Sequence, residues 1–204
     1  MPDAKGVQVG IQYDLPYKTN GLWSFNIEGL YTSPYLYVKP GRDWSLISYR
    51  TNMLSKKGVP IYTWMGSPFG PDTMALEAKI TYKNFEKFEI DFSYLFVAHG
   101  EKNTSMLNAT VETENGTFWA FYPAVLRKLG LLTDEESAKI ARDMSLSGII
   151  QYTNQFKIHG NYVINNNFKL DSEIIYMLIL NNNNIKSNFL NNFQISFGVE
   201  YNLF

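Results

Sequence analysis

The sequence contains no cysteine, which removes disulfides, thiolate nucleophiles and thiol metal sites together. It has only two histidines, His99 and His159, no serine-centred nucleophile elbow and no glycine-rich phosphate loop. Catalytic patterns are therefore poor, and neither an enzyme activity nor a cofactor or metal is expected. The 204 residues carry a net charge of −1, which gives no overall attraction to nucleic acid or anionic lipid. Long hydrophobic runs are missing too: the longest, Ile174 to Leu180, covers seven residues. A spanning helix needs about eighteen. No basic stretch followed by an apolar segment precedes Val7, so the expected mark of a secretory signal is absent from the sequence as it stands.

Aromatics are abundant at 16 %, with 14 Tyr and 14 Phe, and hydrophobic residues reach 45 %. The latter figure would serve a soluble core as well as a membrane surface. Their arrangement is more informative than their number. Val7, Val9, Ile11 and Tyr13 alternate with Gln8, Gln12 and Asp14; Trp23, Phe25, Ile27 and Tyr31 alternate with Ser24, Asn26 and Glu28. Period-two alternation of this kind marks a strand with one apolar and one polar face. It recurs from Met74 to Tyr82, from Phe88 to Phe96, from Met144 to Ile164, from Phe168 to Leu180, and from Phe193 to Tyr201. The expected fold class is all-β: an antiparallel transmembrane β-barrel of the bacterial outer membrane, the whole chain 1–204 forming a single barrel domain. A soluble β-sandwich, whose polar faces look into bulk water, is the competing architecture.

Loop lengths predict the orientation. Segments 15–21, 84–86 and 165–167 are short, as periplasmic turns are, and 33–71, 100–143 and 181–188 are long, as external loops are. Bacterial single-chain barrels have an even number of strands, so about seven strands predict a carboxy-terminal portion whose preceding strands and signal peptide are missing. A turn at 84–86 would place Thr81 opposite Glu89, Lys79 opposite Asp91 and Glu77 opposite Ser93. A turn at Asn165–Asn167 would place His159 opposite Glu173 and Asn161 opposite Asp171. Such polar ladders suit a wet or plugged barrel interior.

The first long loop holds the candidate ligand residues: Tyr35, Tyr37, Lys39, Arg42, Trp44, Tyr49 and Arg50. Aromatic faces stack on sugar rings, and cations bind acidic polysaccharide or lipopolysaccharide phosphate. An interfacial aromatic girdle with snorkelling cations accounts for the same composition. In the second long loop, Pro123 opens a short helix that ends at Gly130, and Thr133 with Glu136 forms a capping box for another through Arg142. These helices would cover a barrel mouth, plug it, or decorate the exterior.

The segment GSPFGPDTMALEAKITYKNFEKFEIDFSYLFVAHGEKN at 66–103 resembles the carboxy-terminal half of capsule-assembly outer-membrane proteins of the Wzi type, and the resemblance extends to YTSPYLY at 31–37 and to the terminal strand. It implies a monomeric, non-enzymatic barrel that binds surface polysaccharide and helps organise a capsule. Its partners would be outer-membrane lipid and lipopolysaccharide or another surface glycan, with the barrel-assembly machinery engaging the terminal strand that ends at Phe204. Tyr201 lies three residues before Phe204, where a closing signal of this kind has its aromatic two before. A porin or transporter for small or hydrophobic solutes is the alternative function.

Overall fold

The computed structural model describes residues 4–18, 20–36, 67–102, 123–165 and 167–201, and the backbone alone of 47–52, 59–64, 110–113 and 116–119. The protein is all-β with few helices. Seven strands form one antiparallel sheet: β1 (Gly6–Tyr17), β2 (Gly21–Thr32), β5 (Thr73–Asn84), β6 (Phe88–His99), β9 (Gln151–Asn165), β10 (Phe168–Leu180) and β11 (Phe189–Tyr201). They are neighbours in that order, so each pairs with the next of the set along the chain, and the sheet is open between its edges β1 and β11. Two hairpins outside this sheet, β3 (Ile47–Asn52) with β4 (Val59–Trp64) and β7 (Thr110–Thr113) with β8 (Gly116–Trp119), occupy segments expected to be loop.

Strand pairing follows the alternation. Asn165 Oδ1 accepts from the backbone of Asn167 at 2.9 Å and of Phe168 at 3.0 Å, an Asx-type turn that reverses the chain. Beyond it, His159 pairs with Glu173 and Asn161 with Asp171, the register expected from a turn at that site. At the β5–β6 reversal the turn lies at 85–87. Asp91 accordingly meets Thr81 as well as Lys79, and Glu89 takes Lys83.

β9 is shorter than the sequence suggests. Its apolar alternation begins at Met144, yet the strand starts at Gln151. Gly148 has a positive φ of 60°, which no ladder residue adopts, and Ser147 is drawn into hydrogen bonds with Asp72 and Glu101. Alternation alone does not reveal such a diversion.

The chain divides into two compact units. The first comprises Met1–Val7, Tyr31–Met74 and His99–Ile150; the second comprises Gln8–Leu30, Ala75–Ala98 and Gln151–Phe204. In the first, the buried residues Thr32, Ser33, Pro34, Tyr35, Pro71 and Asp72 make a small and largely polar centre. Two helices also belong to it, α1 (Pro123–Lys128) and α2 (Asp134–Arg142). Gly130 follows α1 at φ 73°, and α2 carries the expected capping box between Thr133 and Glu136.

The second unit is a two-faced sheet in which, among the described residues, the buried hydrophobic side chains are Ala75, Val97 and Ala98. Ile158, Ile174, Ile195, Phe156 and Phe193 project from one face and are exposed, Phe197 to 82 % of its surface. Every described residue of the edge strands β1 and β11 is exposed. Pro16, which cannot donate to a ladder, sits in β1 where an edge tolerates it.

Candidate functional site

The polar face of the sheet concentrates its chemistry in a charged ladder across β5, β6, β9 and β10. Alternation places Lys79, Asp91, Lys157, His159 and Glu173 on one side of their strands, and pairing brings them together. Lys79 Nζ lies 3.1 Å from Asp91 Oδ1 and Lys157 Nζ lies 2.5 Å from Glu173 Oε2. Thr81 Oγ1 donates to Asp91 Oδ1 at 2.5 Å. His159 stands between two carboxylates, with Nδ1 3.2 Å from Asp91 Oδ2 and Nε2 2.8 Å from Asp171 Oδ2. A carboxylate only accepts, so both contacts are filled together only when both ring nitrogens carry hydrogen.

Lys79, Asp91, Lys157, His159 and Glu173 border a cavity of about 280 Å³ whose wall also includes Glu77, Ser93, Leu95 and Gln155. A second concavity of about 410 Å³ lies on the apolar side, where Gly160 and Ser172 leave a depression among Phe88, Tyr162, Leu170 and Phe197. Among the described residues no group of histidines and carboxylates is arranged to hold a metal ion.

The first unit contains a separate polar knot centred on Asp72. This residue has no exposed surface and a left-handed φ of 55°, a conformation that Asp tolerates better than most side chains. Its Oδ1 accepts from the Ser147 amide at 3.1 Å, and its Oδ2 accepts from the Lys102 amide at 3.0 Å and from the Ser147 hydroxyl. Its own amide donates to the Ser33 carbonyl at 3.1 Å, and its carbonyl accepts from Gly100 at 2.8 Å. Burial pushes the Asp72 carboxyl above its ordinary range, against the pull of the hydrogen bonds from Ser147 and Lys102. Burial likewise pulls the Lys102 ammonium down, while Asp72, Asp143 and Glu101 oppose it. The arrangement joins four distant stretches of chain, at Ser33, Asp72, Gly100–Lys102 and Ser147.

Of the candidate ligand residues, Tyr35 is 1 % exposed, and the Lys102 ammonium lies 4.6 Å above its ring. Its aromatic face is thus taken by a cation of the same chain. Tyr49 and Arg50 lie on β3, in register with Tyr62 and Ile61 of β4. Tyr37, Lys39, Arg42 and Trp44 lie outside the described residues.

The ladder on β5, β6, β9 and β10 was readable as alternating charge, but the Asp72 knot was not. The only sequence signal for it is the Pro71–Asp72 pair at the entry to β5, which reads simply as a turn. No protein-family model, curated protein or solved structure matches the chain.

Proposed function

We propose that this chain is an outer-membrane β-barrel protein that binds or organises surface polysaccharide. The observation that carries the membrane reading is the two-faced sheet. Its strands run 12 to 15 residues, beyond the 9 to 11 or so that cross the hydrocarbon. One face exposes at least one large apolar side chain on each of the seven strands, and the other holds ion pairs. In water such an apolar face far exceeds the patches that monomeric proteins leave uncovered. In lipid it is the required outer surface, and the ladder faces the interior. An antiparallel sheet of seven strands has edges that run parallel to each other, so antiparallel closure requires an odd number of further strands.

The glycan assignment rests on the resemblance of 66–103 to the Wzi-type proteins and on the basic, aromatic composition of the segment holding Tyr37, Lys39, Arg42, Trp44, Tyr49 and Arg50. Cells producing the protein with Arg42, Trp44 and Arg50 all replaced by Ala should lose retained capsule, and the purified variant should lose binding on a glycan array. Unchanged capsule and unchanged binding would remove this reading. The ion pairs on the polar face favour a porin as the second reading, for which stepwise conductance in planar bilayers is the test.

A further inference from the structure

The cavity on the polar face holds three polar side chains that the ladder does not use. Glu77, Ser93 and Gln155 all border it, and none has a side-chain hydrogen bond or ion pair with another described residue. Around them the charges are fixed: Lys79 against Asp91, Lys157 against Glu173, and His159 between Asp91 and Asp171. We propose that this cavity binds a single sugar ring, through its hydroxyl groups.

The argument turns on sign, shape and donor pattern. Three carboxylates (Glu77, Asp91, Glu173) face two lysines and His159 across the cavity, so neither an anion nor a cation gains a field of one sign. A phosphate would meet Glu77 and Glu173, and a divalent ion would meet Lys79 and Lys157. A neutral ligand with several hydroxyls suffers neither conflict, because each hydroxyl both donates and accepts. The Glu77 carboxylate can accept from two adjacent hydroxyls. Lys79 and Lys157 each commit one N–H to their carboxylate partner and retain two, and the Gln155 amide offers a donor and an acceptor. Leu95 supplies an apolar patch for the C–H face of a ring. A volume of about 280 Å³ lies at the small end of ligand pockets, which limits the occupant to about one ring. The paired charges hold the lysines in place before the ligand arrives, which lowers the ordering cost of binding.

This site shares no residue with the external segment assigned to polysaccharide, so the two assignments fail separately. The test is titration of the full chain in detergent micelles with glucose, galactose and N-acetylglucosamine, monitored by saturation-transfer NMR. Sodium sulfate and glycerol serve as an anion probe and an open-chain probe. At least one sugar should saturate with a millimolar Kd, weakened about tenfold by Glu77→Gln, since hydrogen bonds to a charged group are the stronger kind, and less by Gln155→Leu, whose amide is neutral. Glu89→Gln, on the same face but outside the cavity, should leave binding unchanged. Failure of all three sugars to saturate, tighter binding of sulfate than of any sugar, or indifference to both cavity substitutions would overturn the proposal.

Discussion

His159 and Asp171 meet across β9 and β10 at 2.8 Å, and the same imidazole reaches Asp91 on β6 at 3.2 Å, so one side chain ties three strands together. The two carboxylates are not equivalent. The Asp91 side chain is 9 % exposed and gathers Lys79, Thr81 and His159, whereas Asp171 is 50 % exposed. Asp91→Ala should cost about 2–3 kcal/mol, because it leaves three donors short of a buried acceptor. Asp171→Ala should cost less than about 1 kcal/mol, as exposed pairs do. Urea unfolding of the refolded protein in micelles, followed by tryptophan fluorescence, ranks the two. Equal losses would show that the ladder is not centred on Asp91.

The Asp72 knot should give the first unit a pH dependence of definite sign. Burial raises this carboxyl above its ordinary value of 3.8, so the folded chain holds the proton more tightly than the unfolded one. The stabilisation is fully present below that ordinary value and is lost as pH rises through the raised one. Hydrogen exchange at the Lys102 and Ser147 amides should therefore quicken with pH beyond the intrinsic chemical trend. In Asp72→Asn that excess should vanish, while both amides should exchange faster at every pH, because the amide group cannot accept at both of its ends.

Two glycines of the same unit should respond very differently to a methyl group. A Cβ on Gly100 would collide with the Asp72 carboxylate, whereas one on Gly130 would meet nothing and face only its positive φ of 73°. Gly130→Ala should cost about 1–2 kcal/mol of backbone strain. Gly100→Ala should cost more, at least about 3 kcal/mol, since the displaced group is a buried acceptor of three hydrogen bonds. Thermal unfolding of the two variants compares them directly.

Much of the sheet was legible in the sequence because its code is local. Period-two alternation located all seven strands, and the polar turn at Asn165–Asn167 fixed the β9–β10 register down to His159 opposite Glu173. Helix signals worked for the same reason: Thr133 and Glu136 satisfy each other three residues apart. What escaped was decided by contacts between residues far apart in the chain. The diversion of 143–150 away from β9 depends on Asp72, which is 75 residues from Ser147, and no alternation pattern records that pull. Tyr35 read as a surface aromatic because nothing in YTSPYLY announces that Lys102 covers its ring. The hairpins β3–β4 and β7–β8 are short and flanked by Gly, Pro and Asn, which made their segments look like loop throughout.

In the proposed barrel, the apolar face of the sheet contacts hydrocarbon and its polar face contacts water. Because the chain has no cysteine, single cysteines can be placed at consecutive positions of β9 from Phe156 to Ile164 and labelled with a nitroxide in lipid vesicles. Accessibility to oxygen should then peak at residues 156, 158, 162 and 164, with accessibility to a water-soluble nickel chelate peaking at 157, 159, 161 and 163. Labels at the even positions that are shielded from both reagents would place those side chains in a packed protein core and contradict the claim.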